Sequence, residues 1–153
     1  MLTTATTLRQ PYRLTSETRS DARCRTIAAG LTIAARILLG LVFVFAGTMK
    51  LFLMHTPPPA APGLVGAFMD VFFRSHWVAF IAAFEFLAGA LLVVNRYVPL
   101  ALIVLAGIIT NILIVHLTMA PAGLPPPIVL TGLWVAVAWP LRARFAPLLA
   151  AKA

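Results

Sequence analysis

The sequence predicts an all-α integral membrane protein, a four-helix bundle with both termini in the cytoplasm and a short interfacial helix in its long outer loop. Hydrophobic residues make up 61% of the 153 residues and charged residues 10%, whereas soluble domains carry about 25% charged residues. The mean hydropathy of +0.99 leaves too little polar surface to cover a soluble core. These values exclude a soluble enzyme, a disordered chain and a soluble DNA-binding domain.

The chain divides into a tail, a membrane domain and a second short tail. Residues 1–26 are rich in threonine and arginine, which is typical of a flexible basic tail, with or without a short surface helix. Residues 27–145 form the membrane domain and residues 146–153 the C-terminal tail. Within the domain, apolar segments suited to a ~30 Å hydrocarbon core predict four spans. These spans are residues 31–53, 77–94, 98–118 and 124–141.

The distribution of basic residues predicts the orientation of these spans. Four spans place both termini, and the turn that contains Arg96, on the same side of the membrane. That side holds nine arginines and lysines, and the other side holds only Arg74. Because positive residues concentrate on the cytoplasmic side, we expect both termini to be cytoplasmic. This distribution also explains the net charge of +8 without nucleic acid, for which the sequence carries no base-reading motif.

The outer loop between spans 1 and 2 contains an amphipathic segment, GLVGAFMDVFFR, at residues 63–74. On a helical wheel its large apolar residues share one side, and Asp70 and Arg74 lie on the other with the i,i+4 spacing of an ion pair. The pattern predicts a short helix on the outer membrane surface. A re-entrant or simply packed loop stays open as the alternative.

Polar side chains inside the predicted spans are the first candidates for function, because ionisable groups are costly in hydrocarbon. They are Arg36, Lys50, Glu85, Asn111 and His116. We expect Glu85 to pair either with Lys50 from the outer side or with Arg36 from the inner side. Such a pair has two interpretations: it registers the helices, or it belongs to a polar pocket that binds a quinone head group or relays protons.

Glycines share helix faces with these polar residues. In span 1, Gly40 and Gly47 fall with both cations within an arc of about 80°. Gly89 lies one turn from the carboxylate of span 2, and Gly107 lies on the Asn111 face of span 3. Since glycine lets a neighbouring helix approach closely, we expect all four glycines to mark helix-packing faces.

The three histidines fall at the outer ends of the predicted spans. They are His55, His76 and His116. Methionines stand beside two of them, so a copper or haem site is conceivable, but none has the spacing of a metal motif and no metal is predicted. His116 is about 140° around the helix from Asn111, so we expect the two to occupy different faces.

Three segments, taken together, resemble the DoxX family of small four-helix membrane proteins, over about residues 35–141. They are ARILLGLVFVFAGTMKLF, FEFLAGALLVVNRYVPLAL and NILIVHLTMAPAGLP. The family-like positions within them are Arg36, Gly40, Gly47, Lys50, Glu85, Gly89, Asn111 and His116. The chain departs from the pattern at Ala120, where many relatives carry an acidic residue before the proline.

The resemblance implies a multi-pass protein of a bacterial inner (plasma) membrane, and some family members are quinone-linked subunits of oxidoreductases. Our first hypothesis is therefore a membrane subunit of a redox system, in which Glu85 accepts or donates a proton and Lys50, Arg36, Asn111 and His116 hold its charge or the ligand. Electrons come from a partner, since no motif indicates an intrinsic cofactor. The alternative is a non-enzymatic accessory or assembly subunit of a larger complex, and a weaker one is a small-solute carrier.

Overall fold

The computed structural model describes residues 12–56, 59 and 62–145, with side chains from residue 21 onward. Every regular element within these residues is helical. The helices are α1 (Tyr12–Leu53), α2 (Gly63–Arg74), α3 (Trp77–Val93), α4 (Val98–Met119), α5 (Pro125–Ala138) and α6 (Arg142–Phe145). Single 3-10 turns at Pro121–Gly123 and Trp139–Leu141 precede and follow α5. Residues 1–11 of the predicted N-terminal tail, and the whole C-terminal tail, lie outside the described residues.

Helix α1 is 42 residues long and begins at Tyr12, within the segment predicted as a tail. No glycine or proline interrupts residues 12–29, and a helix propagates readily through good helix formers once it has formed. Residues 21–31 are exposed along their whole length, so this part of α1 packs against no other helix among the described residues. The far end of α1, at Leu53, coincides with the predicted end of span 1.

Three helical segments of the described chain are long and apolar enough to cross a membrane: Asp21–Leu53, Val98–Met119 and Pro125–Phe145. Helix α3 has 17 residues and qualifies as a fourth candidate only together with α2, from which it is bent by 83°. The chain is therefore an all-helical protein with three or four candidate spans.

Helices α1, α3, α4 and α5 pack into one closed bundle. Helix α1 contacts α3 and α5, and α4 contacts the same two helices on the opposite side. The core between them is apolar, with Leu39, Phe43, Leu92, Leu102 and Leu105 fully buried. The outside is also rich in exposed phenylalanine, leucine and isoleucine, as expected for a surface in contact with lipid rather than water.

Glycines bring the backbones of α1 and α3 into contact. A Cβ on Gly47 would lie 2.6 Å from the Ala82 carbonyl oxygen, and one on Gly40 would lie 2.8 Å from that of Gly89. A Cβ on Gly89 would in turn meet the Gly40 carbonyl oxygen at 2.6 Å. These three glycines therefore occupy packing positions in the α1–α3 interface.

Gly107 does not lie in a contact between the described helices, which is where the sequence predicts it. A Cβ there would meet no atom within 4 Å of it in the described structure, and Gly107 is exposed. The reason is the direction of α4, which turns Leu105, Ile108 and Ile109 into the core. Gly107 lies beside that buried face and lines a cavity instead.

Candidate functional site

The carboxylate of Glu85 lies in the bundle interior, with 1% of its surface exposed. Its partner is Lys50, in the last turn of α1, whose Nζ donates to Oε1 at 2.7 Å and to Oε2 at 2.5 Å. Gly47, one turn before Lys50, allows α3 to come close enough for both contacts. The pair is partly exposed on the lysine side, where 29% of the side chain is accessible. Both carboxylate oxygens are thus satisfied by one ammonium group.

A cavity of about 330 Å³ borders this ion pair, and we call it the Glu85 cavity. Its walls are mainly aromatic and aliphatic, with four polar or charged side chains among them. It is lined by Lys50, Phe68, Met69, Phe72, Trp77, Ile81, Glu85, Gly107, Ile108, Asn111, Ile112, Val115 and His116. An apolar pocket of this size with a few convergent polar groups is typical of a small-molecule site.

Helix α4 lines the cavity with about half of its circumference. Both Asn111 and His116 contribute, although about 140° separates them around the helix axis. Gly107 and His116 occupy the two edges of the lining arc, and Asn111, Val115 and Ile112 lie between them. Because Gly107 and Asn111 are also exposed, the cavity is accessible from the surface of the bundle.

The ring of His116 is held in one orientation. Its Nδ1–H donates to the Ile112 carbonyl oxygen at 2.8 Å, which leaves Nε2 as the acceptor in a neutral ring. On the far side the ring lies against Gly123, where a Cβ would approach Cδ2 to 2.7 Å. Sequence reasoning gave Gly123 no role, although an isolated glycine just after a helix end is a signal of close packing.

Helix α2 covers one end of the cavity, which Phe68, Met69 and Phe72 line. Its Phe68 and Phe72 rings stack with centroids 5.9 Å apart and an interplanar angle of 15°. On another side of α2, Asp70 accepts a hydrogen bond from Arg74 at 2.7 Å, the ion pair that the i,i+4 spacing predicts. This second pair is exposed and does not line the cavity.

Arg36 lies at the opposite end of the bundle from Glu85. Its guanidinium donates to Oδ1 of Asn95, in the turn between α3 and α4. Arg36 and Lys50 share one face of α1 but are 14 residues apart, about 21 Å along the helix axis. Of the two expected partners of Glu85, the structure brings Lys50 to the carboxylate and places Arg36 in a separate cavity.

The histidines do not form a metal centre within the described residues. No three histidine, cysteine, aspartate or glutamate side chains of this part of the chain lie close enough to hold a metal ion. His55 lies in the turn after α1, and His76 precedes α3 with a positive φ of 60°. Only His116 among the three lines the Glu85 cavity.

A family model shows where the chain belongs. The DoxX model matches residues 31–118, which include all five polar candidates and both members of the ion pair. No curated protein and no solved structure matches the chain significantly. The matched segment is more than half of the 153 residues and coincides with apolar helices fit to cross a bilayer. The chain is therefore a membrane protein of the DoxX family.

Proposed function

We propose that the chain is the membrane subunit of a redox system and that its Glu85 cavity binds a quinone head group. A partner oxidoreductase supplies or removes the electrons. The observation that carries the proposal is the buried Lys50–Glu85 pair at the edge of an accessible, largely apolar cavity. A charged pair that serves only to join helices does not need such a cavity beside it.

The cavity has the size and chemistry that a quinone ring requires. Its volume of about 330 Å³ falls at the small end of ligand pockets, and stacked Phe68 and Phe72 provide a flat apolar wall. A quinone offers carbonyl oxygens as acceptors, and Asn111 has an amide that can donate to them. The Lys50 ammonium has three N–H groups, of which two bind Glu85. The third is available to a ligand.

The residues of the chain supply proton transfer and positioning. A bound quinone exchanges two electrons and two protons when it is interconverted with its quinol. Glu85 gives or takes one of these protons at its carboxyl group, and the second is exchanged with water at the open side of the cavity. Lys50 stabilises the ionised form of Glu85 by its two hydrogen bonds. The chain has a single cysteine, too few to hold an iron–sulfur cluster. We therefore assign the electron-carrying centre to the partner.

The proposed topology has four spans in a bacterial inner membrane, with both termini in the cytoplasm. The spans are α1, α3, α4 and the segment Pro125–Phe145. Helix α2 lies along the outer surface, as its 83° bend from α3 and the 65% exposure of Leu64 and Val71 suggest. In this arrangement the Glu85 cavity lies in the outer half of the membrane, and ligand enters past Asn111 from the lipid.

The test is Glu85→Gln in the full-length protein, isolated gently from its native membrane with its partners. Glutamine keeps an oxygen for Lys50 but cannot exchange a proton. We expect quinone-linked electron transfer to fall by about a hundredfold or more, while membrane abundance stays at the wild-type level, because the Lys50 side chain is 29% exposed and its charge reaches solvent when the carboxylate is removed. Asp70→Asn is the matched control, because it removes a carboxylate of an exposed pair, and it is expected to leave activity unchanged.

One observation favours an accessory role instead. The Lys50–Glu85 pair crosses the same α1–α3 interface that the glycines bring together, so it also fits a purely structural registration of the helices. In that case Glu85→Gln lowers abundance and complex activity in proportion, and no quinone co-purifies with the chain. If abundance and activity both stay at wild-type levels, neither role of Glu85 holds.

A further inference from the structure

A second cavity, of about 230 Å³, lies at the opposite end of the bundle from Glu85. It is formed where α1 passes the α3–α4 turn and the end of the fifth helix, and we call it the Arg36 cavity. Its polar lining includes Arg36, Asn95 and Arg144. The proposed redox function makes no use of it.

This cavity carries two guanidinium groups and no side-chain carboxylate among its lining residues. Two of the four acidic residues of the chain, Glu85 and Asp70, are occupied in ion pairs elsewhere. The other two, Glu17 and Asp21, precede Arg36 on the same helix. Asp21, the nearer, is 15 residues away, about 22 Å along the axis. No acidic side chain of the chain can therefore neutralise Arg36 within the described fold.

The guanidinium of Arg36 also has an unused donor. One terminal nitrogen donates to Asn95 Oδ1, but the Nε atom is buried and has no acceptor within the described residues. A buried donor without an acceptor is costly. The Asn95 side chain accepts through its oxygen and keeps its NH₂ group as a further donor. Two arginines and one amide thus line a space that holds no carboxylate.

We propose that the Arg36 cavity binds a phosphate group. The planar fork of arginine matches two oxygens of a phosphate, and phosphate oxygens supply both the negative charge and the acceptors that are missing. The group comes either from the head of an anionic phospholipid or from free phosphate. The basic side of the bundle is where an anionic leaflet would concentrate such lipids.

The binding test uses full-length protein purified in a non-ionic detergent and native mass spectrometry. Phosphatidylglycerol is titrated as the anionic lipid, and phosphatidylcholine as the zwitterionic comparison. Inorganic phosphate is titrated separately by calorimetry. We expect Arg36→Gln and Arg144→Gln each to weaken binding of the anion by at least about tenfold. Arg142→Gln is the matched control, because Arg142 lies outside the cavity and donates to the Trp139 carbonyl oxygen; its binding should stay within about twofold of wild type.

The two titrations distinguish the sources of the phosphate. Phosphatidylglycerol binding that inorganic phosphate cannot displace assigns the site to a lipid head group. Binding of inorganic phosphate alone assigns it to the free anion, and mutual displacement shows that the site accepts both. The proposal is overturned if neither phosphatidylglycerol nor inorganic phosphate binds more tightly than phosphatidylcholine. It is also overturned if Arg36→Gln and Arg144→Gln both bind the anion as tightly as wild type does. Arg144→Gln, at the exposed end of the bundle, decides the matter if Arg36→Gln does not fold.

Discussion

The two ends of the bundle use the same face of α1 in different ways. At the end that the proposed topology directs outward, called the outer end, the ammonium of Lys50 meets a buried carboxylate, and two short hydrogen bonds satisfy both charges. At the opposite, inner end, the guanidinium of Arg36 donates to the neutral amide of Asn95, and its buried Nε has no acceptor among the described residues. Each cation lies beside a cavity, but within the described residues only Lys50 of the two has a counter-ion.

This difference teaches that the charge of the ligand expected beside a buried cation depends on whether a counter-ion already neutralises that cation. The charges of the outer pair neutralise each other, so the preferred ligand of the Glu85 cavity is a neutral molecule with polar groups at its edges, as a quinone is. The inner cavity has a positive charge to be neutralised, so its ligand is best an anion. The loss of stability on removing each charge tests this contrast.

The largest effect is expected from Lys50→Met, which removes the ammonium group and leaves Glu85 buried without its partner. Breaking one side of a buried pair costs about 3–5 kcal/mol, because an uncompensated charge stays in the interior. The free energy of unfolding in mixed micelles, measured by titration with a denaturing detergent, gives this loss directly.

The control is the double variant Lys50→Met, Glu85→Met, in which two apolar side chains replace the pair and no buried charge remains. We expect it to recover most of the stability that Lys50→Met loses, since replacing both partners of a buried pair is often nearly neutral. An equal loss in the single and double variants would show that packing, and not charge, dominates at the outer end.

The next effect in size concerns the close approach that makes the outer pair possible. Gly47→Ala introduces a Cβ 2.6 Å from the Ala82 carbonyl oxygen, and overpacking of a tight interface costs about 1–3 kcal/mol. Gly132→Ala is matched to it, because a Cβ at Gly132 meets nothing within 4 Å in the described structure. It should not lower stability, and the higher helix propensity of alanine is expected to raise it by up to about 1 kcal/mol. Equal losses for the two variants in the same unfolding assay would contradict close backbone packing at Gly47.

A smaller effect is expected from Arg36→Met at the inner end. The variant leaves only the Asn95 amide without a partner, and that residue is exposed and neutral. Measured in detergent without anionic lipid, the loss should be about 1 kcal/mol, the net worth of an ordinary hydrogen bond. A loss as large as that of Lys50→Met would mean that an internal counter-ion for Arg36 exists, and the contrast between the two ends would fail.

Much of the outer site could be predicted from sequence because helical periodicity assigns residues to faces. Gly40, Gly47 and Lys50 fall on one stripe of α1 at 100° per residue, and the structure places that stripe against α3. Periodicity does not predict how far one helix is displaced along the axis of its neighbour. For that reason it left both Lys50 and Arg36 as partners for Glu85, and only the packed bundle distinguishes them.

The parts that could not be predicted depend on shape rather than on faces. Asn111 and His116 occupy different sides of α4, yet one cavity is wide enough to reach both. Trp134 donates from Nε1 to the Leu102 carbonyl oxygen at 2.8 Å, a contact between α5 and α4 that the spacing of residues along the sequence does not indicate. Contacts of this kind are set by how α4 and α5 pack, about which no local pattern carries information.

The smallest effect is expected at the exposed Asp70–Arg74 pair of α2. Because this pair is not buried, it shows how much an ion pair contributes to stability without burial. Asp70→Asn breaks an ion pair with a distance of 2.7 Å, equal to one of the two Lys50–Glu85 contacts. Because both Asp70 and Arg74 reach solvent, the loss should be about 0.5 kcal/mol or less and should shrink further in high salt. A loss of several kcal/mol in the same unfolding assay would show that α2 depends on this pair to cover the Glu85 cavity. If the loss is as small as expected, the larger contribution of the Lys50–Glu85 pair to stability comes from its burial between α1 and α3.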